Sequence, residues 1–192
     1  AADYNHWRQL GNVGWGWDDV MPYFRKSEDH YGGETAMHGA DGEWKVSKQR
    51  LEWDILRVFQ EGAKEFGVQP RDDFNDGDNE GSGFFEVNQK NGVRWSTASG
   101  FLRPAQKRPN LRILTEAHAE HLILDGKSVK GVQFQRNGQS FQASAQAEVL
   151  LAAGAINSPK ILEHSGIGQP NLISELGLAP LHESLGVGEN LQ

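Results

Sequence analysis

Cysteine is absent from the 192 residues. That excludes a disulfide framework, thiolate metal ligands and a cysteine nucleophile. Long apolar runs are lacking too. VLLAAGAI at 149–156 is among the longest, far short of the roughly 20 residues that a membrane-spanning helix needs. Basic clusters are missing: 19 Lys and Arg are interspersed among 26 Asp and Glu, for a net charge of −7. A nucleic-acid surface would gather its cations on one face, so no nucleic-acid partner is expected. The dinucleotide fingerprint G-x-G-x-x-G is also absent. GVGENL at 186–191 ends in leucine, and GNVGWG at 11–16 has the wrong spacing. No G-x-S-x-G nucleophile turn occurs. The first ten residues, AADYNHWRQL, lack the apolar centre of a secretory leader. What remains, 37% hydrophobic and 23% charged residues, suits a globular chain.

Asp18, placed as an N-cap before Val20, Tyr23 and Phe24, predicts a helix over 18–28. Apolar residues at 51, 55, 58, 59, 63 and 66 follow helical spacing, and Gly67 would end that helix. Between them, residues 31–46 read as a Gly-rich loop running into a strand. FFEVNQ at 84–89 reads as strand, and Ser96 would cap a helix through Ala98, Phe101 and Leu102 that is interrupted or ended at Pro104. From residue 110 the texture turns to β. LRILT is a short strand, and the alternating segment 121–143 folds around Asp125-Gly126 and Asn137-Gly138 as hairpins. AEVLLAAG at 147–154 reads as a strand buried on both faces. Ser158 as N-cap, Pro159 at the first helical position and Gly166 beyond the end predict the next helix, and PNLISELG a second one.

Several patterns imitate sites. Asp76, Asp78, Glu80 and Gly81 mimic a calcium loop, but the twelfth position is Val87 where a bidentate glutamate belongs, so a solvated loop is expected. His118, Glu120 and His121 have metal-ligand chemistry, yet on a strand His121 points away from the other two, and no metal is expected. Trp15 and Trp17 read as packing or interface residues. Gly154 and Ala155 admit two uses. They allow close packing of helix on strand, or they let a ligand lie against bare main chain at a helix N-terminus.

Residues 154–168, GAINSPKILEHSGIG, resemble the second signature of the glucose–methanol–choline (GMC) family of FAD-dependent oxidoreductases. The match runs through Gly154, Ala155, Ser158, Pro159, Ile161, Leu162, Ser165, Gly166, Ile167 and Gly168. DYNHWRQLGNVGWGWDDVMPYFRKSE, HGADGEWKV, NGVRWSTASGFLRP, RPNLRILTEAHA and LGVGENLQ resemble further family blocks in the same order, with the flavour of the bacterial choline- and alcohol-dehydrogenase branch. The resemblance implies a mixed α/β (α+β) fold: part of an FAD/NAD(P)-binding Rossmann-like domain with part of a substrate-binding domain. It divides the chain into an extended segment bordering the flavin (1–26), a substrate-domain insertion (27–93) and the later half of the FAD domain (94–192). It implies FAD as cofactor, held by Ala119, Ala153, Gly154, Ala155 and Asn157. The family has valine at the position of Ala119, and a main-chain contact would survive that exchange. The implied reaction is oxidation of a small-molecule alcohol to an aldehyde, with oxygen or a quinone-type carrier as acceptor. It is expected in the cytoplasm, with peripheral attachment to the inner membrane left open. The chain corresponds to a central fragment without the glycine-rich fingerprint. None of its seven histidines matches the family's catalytic one, and His164 reads as a surface or packing residue. The alternative is a non-catalytic module that binds no flavin.

Overall fold

A computed structural model describes residues 1–191. The fold mixes helix and strand, and it divides into two units, Ala1–Arg112 and a second from Ile113 onward.

The first unit opens with two helices, α1 (Ala2–Gln9) and α2 (Trp17–Ser27), so the expected extended segment 1–26 is largely helical. Tyr4 sets their packing, meeting Trp7 and Phe24 edge-on at ring-centroid distances of 5.2 and 5.7 Å. The start of α2 differs from expectation. Gly16 is the N-cap, and the Asp19 carboxylate accepts its N–H at 2.9 Å. A carboxylate three residues into the helix does this better than Asp18, which sits inside the first turn. The chain then enters a parallel ribbon of β1 (Glu28–His30) and β2 (Trp44–Val46). Helix α3 (Asp54–Glu65) follows, ended by Gly67 at φ +89°. Its apolar stripe exists, but Ile55, Val58 and Phe59 are exposed and none of its residues is buried. FFEVNQ supplies only an isolated bridge from Val87 to Ser47 and the two-residue strand β3 (Gln89–Lys90), which turns through Asn91-Gly92 into β4 (Val93–Arg94). A π turn (Ala98–Leu102) runs into the short helix α4 (Arg103–Ala105), so Pro104 does not end the helix. It lies near the end of a continuous helical run over residues 97–105 that changes from π to α just before it.

The second unit is built on an antiparallel meander, β5 (His118–Asp125), β6 (Ser128–Arg136) and β7 (Gln139–Ser144). Both expected hairpins form. Asn137 and Gly138 both take positive φ, as a type I′ turn requires. The other connection is the two residues Gly126-Lys127, with Asp125 paired to Ser128. LRILT and residues 148–152 are not strands. Strand geometry needs a hydrogen-bonding neighbour, and no described segment pairs with either. Helix α5 (Gly154–His164) and helix α6 (Pro170–Glu175) complete the unit, with a parallel pair of β8 (Ile167–Gly168) and β9 (His182–Glu183). Leu122 of β5, Ile161 of α5 and Ile173 of α6 are its buried apolar core.

Gly166 joins α5 to β8. It takes φ +79°, and a Cβ there would lie 2.6 Å from the Ala179 carbonyl oxygen and 2.9 Å from Leu181 Cγ. Its own carbonyl accepts the N–H groups of Leu181 and His182. The prediction is that Gly166→Ala lowers unfolding stability by about 1–3 kcal/mol through backbone strain and crowding. A fall in the urea midpoint at unchanged slope would show it, and an unchanged midpoint would contradict it.

Candidate functional site

The Gly-Ala passage at 154–155 is the place to begin. Helix α5 starts at Gly154, four residues before the expected cap at Ser158. Gly154 takes φ +86°, a conformation that costs other L-residues about 1–2 kcal/mol. The chain can therefore reverse sharply into the helix at this point. Ser158 still serves as a cap, from within the helix: its Oγ accepts the Ala153 N–H at 3.0 Å. Pro159 lies inside the helix, not at its first position.

The amides that follow are different. In a helix the first-turn N–H groups have no intrahelical acceptor, which here concerns Ala155, Ile156 and Asn157. The surrounding side chains are small, and Ala153, Gly154, Ala155 and Asn157 are all exposed. A Cβ placed on Gly154 would meet nothing within 4 Å. The main chain is thus bare where the helix dipole concentrates positive potential.

Strand β5 provides the opposite wall. A cleft of about 390 Å³ runs between the start of β5 and the first three turns of α5, and Ala119, Ala153 and Asn157 line it together. Three of the five expected site residues, spread over 39 positions of sequence, therefore share one cleft, and Gly154 and Ala155 belong to the turn at its rim. Ala119 begins a β-bulge. It pairs with Phe134 and His121 with Gln133, which leaves Glu120 as the extra residue. The bulge turns Glu120 into the cleft, where Gln135 and Gln133 hold its carboxylate through amide donors at 2.7 and 3.2 Å. β5 is also an edge strand of the meander, bonded to β6 on one side only.

Sequence reading missed other residues that line this cleft, among them His118, Lys160 and His164. The signal was available for two of them. Lys160 and His164 follow Asn157 at three and seven residues, the same face of a helix. The acidic loop is closed by Arg71, which meets Asp76, Asp78 and the Glu80 carbonyl.

One side chain fixes the two walls. Ser165, at the end of α5, is buried. Its Oγ accepts the Leu122 N–H of β5 at 2.8 Å and its hydroxyl donates to the Ile161 carbonyl. The first half of the 154–168 motif thus bares main chain, and the second half clamps helix to strand.

A family model described as GMC oxidoreductase matches residues 1–192. The oxygen-dependent choline dehydrogenase of Sinorhizobium fredii (strain NBRC 101917 / NGR234) is 37% identical over 192 residues, 100% of this chain and 35% of that protein. The chain thus spans about a third of the length of the curated relatives it matches. Among solved structures, an FAD-dependent oxidoreductase from Chaetomium thermophilum superposes with a TM-score of 0.91 at 29% identity, over 99% of this chain and 35% of that one. Pyridoxine 4-oxidase from Mesorbium loti gives a TM-score of 0.86 at 28% identity, over 95% of this chain and 36% of that one.

Ser165→Ala leaves the buried Leu122 N–H without an acceptor. The expected loss is about 1–3 kcal/mol of stability, read as a lower thermal midpoint. A Ser165→Thr variant keeps the hydroxyl and should recover part of it. A neutral alanine variant would show that the clamp does not carry the helix–strand contact.

Proposed function

Because the chain belongs to the GMC oxidoreductase family, we propose that it is part of an FAD-dependent oxidoreductase acting on CH–OH groups, and that the cleft between β5 and α5 takes part of the cofactor. The observation that carries this is the meeting of Ala119 with Ala153 and Asn157 in one cleft. The fit rests on chemistry present in the chain. Small side chains at 153–155 leave backbone open to a flat polar ligand, unpaired first-turn amides favour its acceptor atoms, and the Asn157 side-chain amide can both donate and accept. Ala119 would contribute main chain, so its side chain need not match the family's valine. Gly154 would keep the rim clear, and Ala155 would offer its N–H.

When bound, the flavin supplies the acceptor for the hydride removed from the alcohol carbon. The chain's own share is binding and orientation. Glu120, anchored by Gln133 and Gln135, would fix polarity at the β5 wall of the cleft beside His118, and Lys160 with His164 on α5 would favour anionic or electron-rich groups at the other. No histidine here is assigned the role of proton acceptor, since a general base must reach the alcohol hydroxyl within hydrogen-bond distance. The substrate class is a small-molecule alcohol, in keeping with relatives named choline dehydrogenase. We propose oxygen or a quinone-type carrier as electron acceptor. No helix among the described residues is long and apolar enough to cross a membrane.

The test compares two substitutions in the full flavoprotein. Asparagine tolerates positive φ where valine does not, so Gly154→Asn should fold yet place a side chain at the rim, while Gly154→Val adds backbone strain. Both should weaken FAD binding, Gly154→Asn by about tenfold for 1.4 kcal/mol of lost contact. Wild-type flavin content in Gly154→Asn would contradict the assignment. A wild-type protein that purifies without a flavin absorption band would favour the non-catalytic module instead.

A further inference from the structure

The first unit hides a charged cluster far from the 154–168 motif in sequence. His30 and His38 are both buried, and their rings stack with centroids 4.0 Å apart. Ligand atoms of His30, His38 and Glu86 lie within 4.8 Å of one another, which invites a metal reading. The hydrogen bonding opposes it. Gly32 N–H donates to His30 Nδ1, so the His30 proton sits on Nε2 and is given to Glu86 Oε1 at 2.9 Å. A metal needs the lone pair that this tautomer lacks.

His38 is arranged differently. Its Nδ1 faces Glu28 Oε2 at 3.0 Å and its Nε2 faces Asp73 Oδ2 at 2.8 Å. Both neighbours are carboxylates, which when ionised only accept. A neutral imidazole has one N–H and would turn a lone pair on one of them. The arrangement therefore requires the doubly protonated ring.

The two carboxylates belong to different pieces of chain. Glu28 is in β1 and is held further by the Gly39 N–H at 2.8 Å. Asp73 is in a loop whose neck is closed by the 70–82 bridge and by Arg71 N–H to the Ser82 carbonyl. That loop's other ion pairs, Arg71 with Asp76 and Asp78, are internal to it. Among the described residues, Asp73–His38 is the only ion pair from the loop to the rest of the unit. The pair also lines an open depression of about 340 Å³, together with His30, Thr35, Met37 and Asp76.

We propose that His38 is a pH-operated latch: as an imidazolium it holds the 70–82 loop against β1, and on losing a proton it releases the loop at Asp73. Asp73 is the side that yields because Glu28 keeps its Gly39 bond, whereas the other bond of Asp73, from Asn75 N–H at 2.7 Å, is within the loop and moves with it. The titratable groups around the ring are Glu28 from β1 and Asp73 from the loop, which bond it, the neutral His30 stacked on it with Glu86 behind, and Asp76 across the depression. Arg25 of α2 pairs with Glu34 and touches His38 through its carbonyl, not its ring.

The titration directions agree with this reading. Burial disfavours the His38 cation, but the bonds to Glu28 and Asp73 outweigh it and raise its pKa above the ordinary imidazole value. Burial also works against ionised Asp73, and is outweighed by the Asn75 N–H and His38, so its pKa is lowered. A raised histidine contributes fully below its unfolded value, about 6.5, and that contribution fades as pH rises through the folded value. A depressed aspartate contributes above its unfolded value, about 3.9, and fades as pH falls through the folded one. The latch is closed between these limits and opens on the alkaline side.

The test places 4-fluorophenylalanine at Phe74, next to Asp73 and packed against Phe85 with centroids 5.0 Å apart. The wild-type fluorine resonance should move with pH along a single titration centred above 6.5, and by less than a tenth as much in His38→Arg, whose cation does not titrate in this range. A wild-type resonance that stays fixed from pH 6 to 9.5 would overturn the proposal, and so would the same titration in His38→Arg. The wild-type measurement stands even if the variant folds poorly, because direct observation of the His38 ring by 15N resonance must give the same midpoint as the loop.

Discussion

The hydrogen bonds of Ser165 hold the candidate site together. A buried hydroxyl ties the last turn of α5 to the edge of β5 through Leu122 N–H, and it returns its own proton to Ile161. Leu122 and Ile161, two of the three buried apolar residues of that unit, carry these bonds on their backbones. Polar satisfaction and apolar burial therefore coincide. Loosening the serine would open the core and let the walls of the cleft drift apart. The cleft residues contribute little burial themselves and depend on this contact one to three turns away.

The two units use polar groups in opposite ways. In the second, one neutral hydroxyl organises a small apolar core. In the first, among the described residues, no large apolar side chain is buried, and the enclosed side chains include His30, His38 and Glu86. Charged pairs in such a place stabilise only when each lone pair and proton is matched, and the order Glu28, His38, Asp73 achieves that for one protonation state. Glu86 shows the limit of the matching. One carboxylate oxygen takes the His30 proton and the other is buried without a partner. The neighbouring Tyr31 phenol is pushed up in pKa by burial and by that carboxylate, so it remains protonated there.

Local rules made much of this legible. The spacing of apolar residues located α3, and the Asn-Gly and Asp-Gly pairs located the meander. The 154–168 motif pointed to the turn that forms the cleft. What failed was non-local. Glu28–His30 is strand because Trp44–Val46 lies beside it, a pairing that three polar residues do not announce. Residues 148–152 have strand composition without a strand partner among the described residues. The start of α5 was misplaced because Ser158-Pro159 has the order of a helix start, while Ser158 in fact reaches back five residues to Ala153. The His38 cluster joins positions 28, 38 and 73, and no local pattern contains all three.

The central claim is that the bared main chain at 119 and 155–157 meets the cofactor. Amide hydrogen exchange in the full flavoprotein, with FAD bound and after its removal, tests this most directly. The account predicts marked slowing with FAD at residues 117–120 and 153–157, and little change in the 70–82 loop. Equal exchange of the 117–120 and 153–157 amides in both states, with protection gained elsewhere, would contradict it.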